Sequence, residues 1–165
     1  MERFLLKGRY KAECYDGDNL LWTDYAENLV TNEGYNAVLD IMFHADTQIT
    51  TWYFAPVETD TTAAVTMTYA TPVFTESTAY DEATRQAWTE AAASSQSMTS
   101  ASVATITISA TKTLYGLALV GGGTAATTKG DAAGGGTLWS YAKFGAGHAV
   151  VDGNVINLTY TTGKA

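Results

Sequence analysis

The sequence predicts a mainly β protein, a two-sheet β-sandwich or jelly roll with one short α-helix near residues 32–44. Three observations predict it. Charged residues make up only 16% of the 165 residues, well below the usual quarter, and Thr, Ala, Gly and Ser fill the difference. Short runs rich in β-branched and aromatic residues recur along the chain, separated by Gly, Asn and Asp. A single stretch carries helical periodicity. The length fits one domain over 1–165, large enough to bury a core without disulfides or metals.

Residues 3–15 read as the first strand, and residues 1–12 are also a candidate N-terminal arm. Asp16-Gly17-Asp18-Asn19 supplies residues that tolerate the positive φ of a tight hairpin, and Leu20 to Tyr25 returns as the second strand. Thr31 to His44 is the helix. Thr31 or Asn32 can cap its start, and Glu33 sits at the positive end of its dipole. Tyr35, Val38, Leu39, Met42 and Phe43 form one apolar stripe at i, i+3, i+4, i+7 and i+8. Gly34 weakens that helix by about 1 kcal/mol relative to Ala.

Beyond residue 50 the pattern is β. Thr51 to Val57 is an aromatic-rich strand with Pro56 at its end or on an edge, because proline has no N–H for the ladder. Residues 58–83 form a long Thr-rich loop, and Arg85 to Glu90 a strand carrying Trp88. Val103 to Ser109 alternates, with Ala104, Ile106 and Ile108 on one face. Leu114 to Val120 is apolar on both faces, which predicts a central buried strand. Residues 121–136, with seven glycines, form a flexible loop without a core of its own. Leu138 to Phe144 and Val155 to Thr161 are the last strands. Gly145 to His148 reads as a turn between them, and Asp152-Gly153-Asn154 as the tight turn.

The formal net charge is −8 and uneven. Residues 1–90 hold 15 of 17 acids and 5 of 9 bases; residues 91–165 hold 2 acids and 4 lysines. Such a chain is a poor ligand for phosphate backbones. Its one basic group, Arg3, Lys7, Arg9 and Lys11, is either a solvated strand face or a docking patch for an acidic partner. Cys14 is the single cysteine, so no internal disulfide forms, which suits a reducing compartment; it reads as a small buried hydrophobe. The first residues lack a signal-peptide pattern, and no apolar run is long enough to span a membrane.

Residues for chemistry are sparse. His44 and His148 are far apart, and neither sits in a zinc-binding pattern. The glycine-rich segment lacks the order of a phosphate-binding loop, since Lys129 precedes Gly130 and no helix follows. Asp16 to Asn19 lacks the spacing of a calcium loop. Glu76, Asp81, Glu82 and Glu90 crowd a loop region and could in principle pair as hydrolytic carboxylates, but read better as a polar loop. The Asn157-Leu158-Thr159 sequon falls inside a strand. No catalytic, cofactor or metal residue is expected, and the chain is expected not to be an enzyme. The aromatics say more. Trp22, Trp52, Trp88 and Trp139 are chiefly core candidates. Trp52, Trp88 and Trp139 are also candidate interface anchors, because Trp dominates binding hot spots.

Three stretches resemble small virion structural proteins of tailed bacteriophages. They are Asn28 to Asp40 (NLVTNEGYNAVLD) with Phe43-His44 and Thr51-Trp52-Tyr53; Tyr80 to Trp88 (YDEATRQAW); and Thr111 to Val120 (TKTLYGLALV) with Gly136 to Trp139 and Ala142 to Phe144. Within that class the chain is most like a capsid decoration, or cement, protein. The resemblance implies a β-sandwich or jelly roll on the outer capsid surface, often a homotrimer, assembled in the host cytoplasm. Its partners would be the major capsid protein and copies of itself, with no nucleic acid, membrane or cofactor. A tail, neck or baseplate component and a host-glycan-binding module are the alternatives. The resemblance assigns no functional residue.

Overall fold

The computed structural model describes residues 5–165. Ten strands and one helix follow in the order β1 (Leu6–Asp16), β2 (Asn19–Glu27), β3 (Leu29–Val30), α1 (Asn32–Phe43), β4 (Trp52–Val57), β5 (Ala87–Trp88), β6 (Ser97–Thr99), β7 (Ala104–Thr107), β8 (Lys112–Gly121), β9 (Thr137–Val150) and β10 (Val155–Lys164). They form two five-stranded antiparallel sheets. In the first, β2, β1 and β10 lie side by side, and β6 and β7 both pair with β10. In the second the order is β3-β9-β8-β4-β5. This is a β-sandwich arrangement with one short helix.

The first hairpin turns at Gly17, with φ of 57°, and pairs Asp16 with Asn19. Alternation along β1 sends Tyr10, Ala12 and Cys14 inward and Arg9 outward. Residues 6–12, also read as an arm, are paired β1 strand along their whole length. Opposite them, Phe54, Leu117, Leu119, Trp139 and Phe144 close the core between the sheets. Tyr10 stacks on Tyr160 with ring centroids 4.4 Å apart. The Tyr10 hydroxyl lies 2.6 Å from Ser140 Oγ, tying the sheets together in the middle.

The second sheet is covered on its other face too. Ala55, Val57, Ala118, Val120, Leu138 and Tyr141 pack against Met67, Tyr69 and Phe74 of the long loop. That is why β8, the middle strand, is apolar on both faces, and why residues 58–83 need no strands of their own. Pro56 sits beyond the two residues that β5 pairs with, where the ladder does not need its N–H.

Three expectations are corrected. Residues 145–148 are not a turn. They belong to β9, which runs on to Val150 through an irregular stretch in which Phe144 to Gly147 lie opposite Tyr115 alone. The strand expected over 85–90 shrinks to Ala87–Trp88, because Arg85 is drawn inward. The helix has the expected bounds, with Thr31 capping through Oγ1 to Gly34 N at 2.9 Å. Its apolar stripe, however, is covered only in its first half, where Tyr35 and Val38 pack against the core. Gly34 is the helix's one buried residue, Ala37 and Ile41 are half-buried along an open groove, and Leu39, Met42 and Phe43 are 50%, 67% and 82% exposed.

A bulge in β9 fixes the seat of the helix's first turn. Leu119 pairs with Ser140 and Val120 with Leu138, so Trp139 is the extra residue. Bulges re-aim side chains and free backbone groups. Here Trp139 O accepts from Thr31 N at 3.0 Å, and Leu138 O from Thr31 Oγ1 at 2.5 Å. Glu33 Oε2 receives Leu138 N at 2.6 Å and Tyr69 N at 2.8 Å. The first turn of α1 is therefore bolted to β9, and its last turn carries the exposed side chains. Just past the helix Ala45 adopts φ of 58°, a left-handed value natural to glycine. Ala45→Gly is expected to add about 0.5–1 kcal/mol of stability, read as a rise in the thermal midpoint.

Candidate functional site

The outward face of β1 carries Lys7, Arg9 and Lys11; Arg3 lies outside the described residues. Arg9 pairs with Glu27 at 3.4 Å and lies 4.1 Å above the Tyr25 ring. Lys11 pairs with Glu13 at 2.8 Å. Two of these bases are thus matched by acids on the same sheet face, and surface pairs of this kind contribute little stability.

Trp52, Trp88 and Trp139 do converge. With Val38, Leu119 and Thr162 they line one apolar pocket of about 160 Å³. As surface anchors, though, Trp88 and Trp139 are corrected: both are buried, because their strands face the other sheet. Their indole N–H groups donate to Ser100 Oγ at 3.0 Å and to the Tyr160 hydroxyl at 2.8 Å. Trp52 is half-buried and packs edge-on against Trp139.

The ionisable clusters hold structural positions. Arg85 and Glu76 form a bidentate pair, Nε–Oε1 at 2.9 Å and Nη2–Oε2 at 2.5 Å, with both side chains buried. Arg85 also donates to the Tyr69 hydroxyl at 3.1 Å, Ala126 O at 2.9 Å and Asp131 O at 2.9 Å. Five contacts match the five N–H donors of a guanidinium. Burial would lower the Arg85 pKa, but the hydrogen bonds and charge of Glu76 outweigh it and raise the value. The remaining acids of the run lie apart in their tasks. Glu82 caps Thr107 N with both oxygens at 3.0 Å, and Glu90 is exposed beside Ser100. The glycine-rich segment is held by the same network: Gly130 N donates to Glu76, and Lys129 Nζ reaches Tyr80 O at 2.7 Å.

His148 Nε2 lies 2.6 Å from Asp24 Oδ2, and its ring stacks on Trp22 at 4.2 Å. This contact joins β9 to β2. Cys14 is fully buried, and burial, aided by the Asp16 charge, pushes its pKa up to about 11. At neutral pH it is a protonated thiol, a weak nucleophile. His44 is the exposed C-cap of α1. Among the described residues no group of three or more His, Cys, Asp or Glu is placed to hold a metal, and no helix is long and apolar enough to cross a membrane.

The surface that stands out is one the sequence stripe concealed. Leu39, Met42 and Phe43 project from the last turn of α1 within five residues. Single exposed apolar residues are ordinary, but a contiguous apolar group marks an interaction site. Beside it runs an open groove of about 570 Å³ whose lining includes Glu33, Asn36, Asp40, Asp46 and Val65. The expected stripe splits along its length: Tyr35 and Val38 pack on the core beside Gly34, which meets Trp139 closely, and Leu39, Met42 and Phe43 are left exposed. Scans against family models, curated proteins and solved structures find no match to this chain.

Proposed function

We propose that this chain is a non-enzymatic virion protein, a decoration or cement protein that binds the outside of a tailed-phage capsid and bridges neighbouring capsid subunits. The observation that carries the reading is the exposed apolar end of α1, held on a rigid two-sheet body. A β-sandwich tied by buried tyrosines and an Arg85 latch resists deformation, as a clamp must. The phage-like stretches fall on the structural core of that clamp: Asn28 to Asp40 spans β3 and most of α1, and Thr111 to Val120 covers β8. Homotrimers contacting the major capsid protein would multiply a weak contact through valency.

The test is the copy number of the chain in purified virions, measured by quantitative mass spectrometry against the major capsid subunit. A ratio close to unity, or a simple fraction of it, is expected. A ratio of a few per cent would place the chain in the tail or neck, and its absence from virions would overturn the reading.

A further inference from the structure

From the exposed end of α1 and the charge around it, we infer that the Leu39, Met42 and Phe43 face docks into an apolar groove rimmed by Lys and Arg on the capsid subunit. This rests on the decoration reading and specifies the chemistry of its partner.

Charge selects the occupant. Between Lys11 and Arg85 the chain runs 73 residues without a single Lys or Arg, and that stretch carries thirteen acids. It contains all of α1. Asp40 lies three residues from Phe43, so the two are neighbours on the helix surface. Asp46 folds back onto the same end, its N–H donating to Asp40 O at 3.2 Å. The helix has no basic residue in its last turn. An apolar face with an acidic border is matched by an apolar groove with a basic one, which also steers the encounter.

A second copy of this chain is a poor match. Two such helix ends placed face to face would bring Asp40 and Asp46 against their own copies. Among the described residues, Lys7 and Lys164 carry no ion pair and line one open groove with Arg9, but its other walls are Glu27 and Gly, Ser, Gln and Thr residues rather than apolar side chains. Arg9, Lys11, Arg85, Lys112 and Lys143 already pair with Glu27, Glu13, Glu76, Glu58 and Asp60. Lys129 is engaged by a backbone carbonyl.

The test uses the purified full-length protein titrated onto capsids made without it. Wild type is expected to bind saturably and to weaken several-fold as salt rises from about 50 to 300 mM. Leu39→Ser/Met42→Ser/Phe43→Ser should weaken binding by roughly 30-fold or more, the scale of a hot spot. These exposed side chains leave the core intact, so the melting curve should stay near wild type. Asp40→Lys/Asp46→Lys should weaken binding about tenfold and flatten its salt dependence. Leu20→Ser/Leu21→Ser, equally exposed side chains at the far tip of the β1–β2 hairpin, should bind as wild type.

If wild type binds and the triple serine variant binds equally well, the inference falls while the decoration reading stands. Tighter binding by the lysine variant would overturn the basic rim. A loss of self-association in the triple variant, with capsid binding kept, would make a second copy the occupant and overturn the inference. If wild type binds no capsid at all, the decoration reading itself fails.

Discussion

Arg85→Ala is expected to lower stability by about 3–5 kcal/mol, the cost of breaking a buried ion pair by removing one partner. The guanidinium joins three segments: Glu76 and Tyr69 on the long loop, Ala126 and Asp131 on the glycine-rich segment, and β5 next to its own position. Its loss strips the buried Glu76 carboxylate of its counter-charge and takes a donor from two carbonyls. It also loosens the cover that Met67, Tyr69 and Phe74 provide over the second sheet. Urea denaturation followed by tryptophan fluorescence measures the loss, and limited proteolysis should find new cleavage within residues 122–136. The double variant Arg85→Met/Glu76→Leu should recover most of the stability, because apolar replacement of both partners removes the uncompensated charge. A single-variant loss under ~1 kcal/mol would mean that the loops are held elsewhere.

Local chemistry was legible from the sequence. The Asp16–Asn19 turn, the Thr31 cap, the alternation of β7 and the central position of β8 all follow from interactions within a few residues or from a strand's two faces. What was not legible depends on partners far along the chain. β3 and β6 are two and three residues long and exist only because β9 and β10 present open edges to them. Arg85 sits in an unremarkable polar stretch, and its partners lie 9 to 46 residues away. Gly145 to His148 carries turn residues, yet a strand continues through it because Leu114 and its neighbours pair beyond. Trp88 and Trp139 look the same in sequence whether they anchor a core or an interface. The exposed end of α1 was hidden for a different reason: periodicity marks an apolar stripe along the helix and does not say how much of its length a sheet will cover.

Gly34 sets how closely the first turn of α1 meets the sheet, and its replacement reverses a helix-propensity expectation. In an exposed helix Gly→Ala stabilises by about 1 kcal/mol. Here a Cβ on residue 34 would fall 2.6 Å from Trp139 O and 3.0 Å from the Trp139 ring. Neither can yield easily: the carbonyl sits in the β9 bulge and accepts from Thr31 N, and the ring is packed in the core. Gly34→Ala is therefore expected to destabilise by about 2–3 kcal/mol, in the range of overpacked cores, and Gly34→Val by more. The damage should also be directional. Displacing the first turn of α1 strains Thr31 and Glu33 contacts to Leu138 and Trp139 and swings the Leu39, Met42 and Phe43 end away from its place. At temperatures where the variant is still folded, capsid binding should fall more steeply than the loss of folded protein accounts for. A variant that melts early yet binds at full strength would mean that the helix end acts without being held in one orientation.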